Sequence, residues 1–226
     1  MMRSWYANAP ARQWSSGSAG QSARDFHRTL PGYAPTPLVD LPSLATELRV
    51  GRLLVKDESS RLGLPAFKVL GASWACQQVL ERRPGAHLVT ATDGNHGRAV
   101  AHLARYFGVR ATIFVPAVML EHTSALIASE GAAVVRIDGD YDAAVRTAAQ
   151  YADGESDRAL VQDTAWPGYE EVPRWIVDGY ATLLEEVDDA LGRAPDLVAV
   201  PVGVGSLAQS VVSYYRRPAH ASAHAS

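Results

Sequence analysis

An α/β fold, with open parallel sheets covered by helices on both faces, is predicted by three features of this chain. Short apolar runs of strand length alternate with longer runs of helical period from His87 to Tyr215. Glycine-rich turns fall between a strand-like run and the helix after it, at Thr92–Gly97 and at Gly203–Ser206. The longest helical run, from about Arg174 to Leu191, keeps Ile176, Tyr180, Leu183, Leu184, Val187 and Leu191 on one stripe.

Taken in order, residues 1 to about 25 are rich in Ser, Gly, Ala and Gln, with Trp5 and Trp14 scattered among them, and read as a loosely held arm. Pro31 to Pro42 is an extended entry segment stiffened by prolines. A short helix at Ser43 to Leu48 and a strand at Arg52 to Lys56 follow. Lys68 opens a helix to Glu81, and Pro84-Gly85 turns the chain into a strand at His87 to Thr90. Then come a helix from Asn95 to Phe107, a strand at Ala111 to Val115, a helix near Leu120 to Glu130 and a strand at Ala133 to Ile137. The helix Tyr141 to Tyr151 carries Tyr141, Ala144, Val145, Ala148 and Ala149 on one face. A short strand at Ala159 to Val161, the long helix, a strand at Leu197 to Val202 and a helix from about Leu207 to Tyr215 complete the pattern. Ala219 to Ser226 repeats Ala-His-Ala-Ser and has no packing logic. His220 and His224 are four apart, but nothing nearby supplies a third ligand, so no metal is expected.

Bulk properties exclude several classes. A net charge of −3 offers no basic surplus for nucleic acid or an anionic membrane. No apolar run approaches the roughly 20 residues of a membrane span. No signal-peptide pattern opens the chain, and the single cysteine, Cys76, cannot form an internal disulfide. Cytoplasmic localisation is the expectation. Cys76 reads as a small core residue.

The chemistry-bearing residues gather in three places. Lys68 is one of only two lysines, the other being Lys56. It follows Ala66-Phe67 and starts a helix, where burial and the positive helix end both disfavour an ammonium ion. Such a lysine can serve as a Schiff-base amine; a lysine snorkelling from a helix end is the alternative and the commoner case for an arbitrary lysine, so the residues further along the chain decide. At the second place, Thr92-Asp93-Gly94-Asn95-His96-Gly97 follows a strand, so free N–H groups of the next helix point at an anion. Asp93 offers a carboxylate and Asn95 an amide, with helix capping the alternative for both. Third, Gly203-Val204-Gly205-Ser206 suits a phosphate. With Ala208 it also fits a dinucleotide fingerprint, but no Asp or Glu follows Asp196 to hold a ribose. Asp163, in Gln162-Asp163-Thr164-Ala165-Trp166, ends another strand. An amine, an amide and a phosphate cradle together describe a pyridoxal phosphate site.

In this order, the motifs resemble the tryptophan-synthase-β-like (fold type II) family of pyridoxal phosphate enzymes. Within it, Lys56-Asp-Glu-Ser through Gly63-Leu-Pro-Ala-Phe-Lys-Val-Leu-Gly71 resembles the diaminopropionate ammonia-lyases. So do Ala91-Thr-Asp-Gly-Asn-His-Gly-Arg98 and Val161-Gln-Asp-Thr-Ala-Trp166 with Gly168-Tyr169. Serine and threonine dehydratases usually carry a small residue where this chain has Asp93. The resemblance runs from about Tyr33 to Arg217.

By that resemblance, Lys68 would hold pyridoxal 5'-phosphate and take part in proton transfer. Asn95 would meet the ring hydroxyl, and Gly203, Val204, Gly205 and Ser206 the phosphate. Thr92, Gly94 and His96 would meet the substrate carboxylate through backbone groups. Asp93 would be an acid/base near Cα and the β-amine, and Asp163 would recognise or protonate the second amine. The implied reaction converts the small-molecule amino acid 2,3-diaminopropionate to pyruvate and ammonia. A serine/threonine dehydratase-like β-elimination and an inactive truncated fragment are the alternatives.

The expected architecture is two-lobed. Residues 1–30 form a flexible arm, 31–75 the first part of a larger cofactor domain, and 76–190 a smaller α/β domain. Residues 191–217 return to the larger domain with the phosphate loop, and 218–226 are a low-complexity tail. Family members continue well beyond the glycine loop, so the second lobe is expected to be incomplete. A homodimer, or pairing with a complementing C-terminal half, is the partner expectation.

Overall fold

The computed structural model describes residues 15–16 and 23–217. The tail 218–226, with His220 and His224, lies outside the described residues, as do Trp5 and Trp14 of the expected arm.

The chain folds around a four-stranded parallel sheet of β3 (His87–Ala91), β4 (Ala111–Pro116), β5 (Ala133–Ile137) and β6 (Arg158–Leu160), in the order β5-β4-β3-β6. Before it come α1 (Ala23–His27), β1 (Leu38–Asp40), α2 (Pro42–Leu48), β2 (Leu54–Lys56) and α3 (Lys68–Arg82). Between and after the strands lie α4 (Asn95–Phe107), α5 (Glu121–Ser129), α6 (Tyr141–Asp153), α7 (Glu171–Leu191) and α8 (Ser206–Tyr215). The two central strands, β3 and β4, are buried at every residue, which suits a parallel sheet covered on both sides.

Strand alternation divides that cover. Val89, Ala91 and Phe114 point to one face and pack on Ala144, Ala148 and Ala152 of α6. Leu88, Ile113 and Val115 point to the other, into the larger core with α3, α4 and α7. Cys76 lies in that core, fully buried. Two glycines bring α3 and α7 together. A Cβ on Gly179 would lie 2.6 Å from the Leu70 carbonyl oxygen and 2.8 Å from Gly71 Cα. No larger residue fits there.

Three expectations change. Alongside the parallel sheet stands a small antiparallel one, in which Leu38–Asp40 pairs with Leu54–Lys56. Its first strand is three residues long and lies among prolines, so alternation had no room to show. Second, Ala23–His27 is helical and His27 is fully buried, so this part of the expected arm docks on the core. His27 Nε2 donates to the Leu70 carbonyl at 3.0 Å and Nδ1 accepts from the Thr182 hydroxyl at 2.7 Å, tying α1 to α3 and α7. Third, Leu197–Val202 is not a strand: no strand lies beside it among the described residues, and Leu197 and Val202 are exposed. Among the described residues, no helix is long and apolar enough to cross a membrane.

Candidate active site

The strand order itself creates the site. From β3 the chain steps outward to β4 and β5, then returns to the other side of β3 as β6. An open parallel sheet has its crevice where the order reverses, at the carboxyl ends of the strands. Here that point lies beyond Ala91 of β3 and Leu160 of β6. Thr92–Gly94 leave one edge and Gln162–Asp163 the other.

At the first edge, Thr92 closes the turn. Its hydroxyl oxygen accepts from the N–H of Gly94 at 2.9 Å and of Gly97 at 3.0 Å, so this buried threonine satisfies the start of α4. Gly97 makes room for it: a Cβ there would meet Thr92 Cγ2 at 2.3 Å. Capping is therefore not the work of Asp93 or Asn95. Both are exposed, and neither side chain makes a hydrogen bond among the described residues.

At the second edge, Asp163 is 6 % exposed and meets Lys68 Nζ at 2.6 Å, across 95 positions of sequence. Lys68 is the first residue of α3, beside the Phe67 ring (5.7 Å to its centroid). Burial alone would raise the Asp163 carboxyl; electrostatic interaction with the neighbouring His96, the Lys68 ammonium and the Lys68 hydrogen bond instead bring it below the usual carboxylate value. Gln162 holds this carboxylate in place. Its Oε1 accepts from Ala91 N–H at 2.9 Å and Thr90 Oγ1 at 3.0 Å, while Nε2 donates to Tyr141 Oη at 3.0 Å and Asp163 Oδ1 at 3.2 Å. The Tyr169 hydroxyl accepts from Gln162 N–H at 2.8 Å and donates to the Leu160 carbonyl at 3.0 Å. Burial, then the Asp163 charge, pushes the Tyr141 phenol up to about 12, so it stays protonated.

His96 lies between the two edges. Its Nε2 contacts the Val161 carbonyl oxygen at 2.7 Å, so Nε2 carries the proton and Nδ1 presents a lone pair. Burial lowers its pKa, which keeps the ring neutral near pH 7. Among the described residues Nδ1 has no partner in hydrogen-bond geometry, and the same is true of the buried Thr164 and Tyr180 hydroxyls. Buried polar atoms are rarely left unpaired. Three of them on residues at or beside Lys68 and Asp163 leave this cluster with hydrogen-bonding capacity for a polar ligand, which fits the donor set of a pyridoxal phosphate site.

The glycine loop stands apart from this pair. Gly203 and Val204 are exposed, and Gly205 has φ +97°, a left-handed turn that only glycine takes easily. Ser206 is buried and opens α8, whose first N–H groups face the loop. The structure thus brings Lys68, Asp163 and His96 together, with Asp93 and Asn95 on the adjoining turn. Gln162 and Tyr180 are absent from the residues chosen by sequence. Gln162 stood next to a flagged aspartate without a motif of its own, and Tyr180 read only as part of an apolar stripe.

Comparison with known proteins agrees with this geometry. A family model described as "Pyridoxal-phosphate dependent enzyme" matches residues 29–224. Diaminopropionate ammonia-lyase of Escherichia coli K12 is 40% identical over 220 residues, covering 88% of this chain and 55% of that protein. The human L-serine dehydratase/L-threonine deaminase is 30% identical over 186 residues, covering 80% of this chain and 52% of that protein. Among solved structures, the E. coli diaminopropionate ammonia-lyase in complex with an aminoacrylate-PLP azomethine reaction intermediate superposes with a TM-score of 0.82 at 39% identity, covering 88% of this chain and 56% of that one. The chain spans about half the length of these relatives. With a family model over most of its length and a switch-point crevice holding a lysine–aspartate pair, the chain belongs to the family of pyridoxal-phosphate dependent enzymes.

Proposed function

We propose that this chain carries the cofactor- and substrate-binding residues of an ammonia-lyase that converts 2,3-diaminopropionate to pyruvate and ammonia. The observation that carries the reading is the 2.6 Å pair of Lys68 and Asp163, joined by the unpartnered carboxylate of Asp93 on the neighbouring turn. A diamino substrate brings a second cationic amine, and two carboxylates at the crevice suit it better than the hydroxyl of serine or threonine. Pyridoxal phosphate, when bound, supplies an electron sink at the substrate Cα.

Lys68 holds the cofactor through its amine and moves the proton at Cα. Asp163 orients that amine and stands ready to recognise or protonate the departing β-amine. Asp93, free of partners among the described residues, acts as acid or base from the opposite turn, a role typically worth 10²–10⁴-fold. Asn95 offers its amide to the ring hydroxyl. Thr92, Gly94 and His96 supply the backbone groups at the start of α4 for the substrate carboxylate, and Gly203 to Ser206 receive the phosphate. Water balances the reaction: diaminopropionate and one water give pyruvate and two ammonia.

As domains, residues 76–190 form the smaller α/β lobe, while 31–75 and 191–217 belong to the cofactor lobe. Leu197, Val198, Val202 and Val204, exposed beside the glycine loop, support cover by a second copy or by polypeptide corresponding to the relatives' remaining length. The cytoplasm is the proposed compartment. A pyruvate assay with 2,3-diaminopropionate, serine and threonine tests the reading. Pyruvate from diaminopropionate above the serine and threonine rates is the expected result, and preference for serine or threonine would replace it with the dehydratase.

A further inference from the structure

We infer that Tyr180 is a cofactor-binding residue, its hydroxyl a hydrogen-bond donor to the phosphate of pyridoxal phosphate from the floor of the site. Sequence alone placed Tyr180 in the apolar stripe of α7, where a phenylalanine would serve as well. The structure gives its hydroxyl a different position. Tyr180 is fully buried, and its ring packs edge-on against Phe67 at 5.1 Å between centroids, the residue that immediately precedes Lys68. The ring also covers Gly71, one turn into α3, where an added Cβ would meet Tyr180 Cε1 at 2.6 Å. Gly71 leaves the space that this tyrosine and Ile176 occupy.

Among the described residues the hydroxyl has no partner in hydrogen-bond geometry. The side chain of Ser206, the buried first residue of α8, is a hydrogen-bonding neighbour of this hydroxyl, but the two do not meet in hydrogen-bond geometry, and Asp163 acts on it through its charge. Asp163 is already engaged by Lys68 and Gln162. A phenol kept protonated by burial is a donor, and an unpaired buried donor costs free energy unless an acceptor arrives. The acceptor that fits beside Ser206 and the free N–H groups of α8 is an anionic oxygen. Tyr180 then reaches from α7 what the exposed glycine loop reaches from the other side.

This inference rests on the proposed cofactor site, and Tyr180→Phe tests it with two ligands. Pyridoxal phosphate and pyridoxal, which lacks the phosphate, are titrated into the full chain and followed by absorbance of the bound cofactor. Thermal midpoints of the ligand-free proteins are measured alongside. The variant should bind pyridoxal phosphate roughly 10- to 100-fold more weakly, as expected for a lost bond to a charged group. Its affinity for pyridoxal should match that of the wild type. Its ligand-free midpoint should be equal or higher, because an unpaired buried hydroxyl has been removed. Equal phosphate-form affinity in the two proteins, an equal loss for both ligands, or a lower ligand-free midpoint would each overturn the assignment. Wild-type protein that binds neither ligand would instead overturn the proposed function itself.

Discussion

Arg61 and Glu186 face each other through two parallel hydrogen bonds, Nη1 to Oε1 at 2.8 Å and Nη2 to Oε2 at 2.7 Å, with both side chains sealed from solvent. The same guanidinium donates to Glu58 through Nε at 2.8 Å, and Lys56 Nζ reaches Glu186 at 2.6 Å. The Tyr33 hydroxyl and the Thr36 N–H complete the donors around Glu186. The network fastens the loop that leads into Lys68 to the long helix α7. Arg61 also closes a tight turn with Leu64, its N–H and carbonyl pairing at 2.8 and 2.9 Å across Leu62 and Gly63, both of positive φ.

Breaking this network from one side should be costly. Arg61→Ala or Glu186→Gln leaves a buried charge without its partner, and each should lower stability by about 3–5 kcal/mol. Urea titration of the three proteins checks this. A double variant, Arg61→Met with Glu186→Leu, should lose less than the sum of the single changes, because the two residues belong to one network and the fully buried pair is removed together.

His27 should make stability depend on pH above the range of the carboxylates. Burial lowers its pKa from 6.5 to about 4, so the unfolded chain takes up a proton that the folded one refuses. The contribution is complete above about 6.5 and is lost as pH falls toward about 4, at no more than about 1.4 kcal/mol per pH unit. Glu186 acts lower down: burial would raise it, but Arg61 and Lys56 hold it near 2, so its contribution is present above 4.5 and lost as pH falls through about 2. Denaturation midpoints between pH 7.5 and 4.5 should therefore fall in the wild type, and less steeply in His27→Gln.

Gly179→Ala should be more damaging than a surface glycine change. The added methyl would meet backbone atoms, Leu70 O at 2.6 Å and Gly71 Cα at 2.8 Å, which cannot rotate away. Overpacking of this kind costs typically about 1–3 kcal/mol. Gly203→Ala, where a Cβ meets nothing within 4 Å, is the matched control for packing and should leave the thermal midpoint nearly unchanged. Similar losses in both would refute a close α3–α7 contact.

Much of this was legible from one-dimensional pattern, and the remainder was not for identifiable reasons. Helix α4 and strand β5 were expected at their observed bounds because each carries a full period with glycine or a turn at its end. Lys68 and Asp163 were each flagged, yet their pairing needed the reversal of strand order that sets β6 beside β3. Arg61 had no signal of burial, since an arginine in a loop is ordinarily solvated. Its partner Glu186 sits in an Asp/Glu-rich stretch of α7 that reads as a polar face. Leu197–Val202 has strand composition, but composition does not supply a neighbour to bond with.

Three substitutions at the crevice should separate holding the cofactor from moving protons. Borohydride reduction of the chain mixed with pyridoxal phosphate, followed by digestion, should place a phosphopyridoxyl group on Lys68 and not on Lys56, whose amine is held by Glu186 and the Thr36 carbonyl, both at 2.6 Å. Lys68→Ala should abolish the label. Asp163→Asn keeps a hydrogen-bond acceptor for Lys68 while removing the charge, so labelling should persist while pyruvate formation falls by about 10²–10⁴-fold. Asp93→Asn should show the same split, and with no partner to lose among the described residues it should leave stability within about 0.5 kcal/mol of the wild type. Loss of label in Asp163→Asn would make that carboxylate part of cofactor attachment. Full activity in Asp93→Asn would leave proton transfer to Lys68 and Asp163 alone.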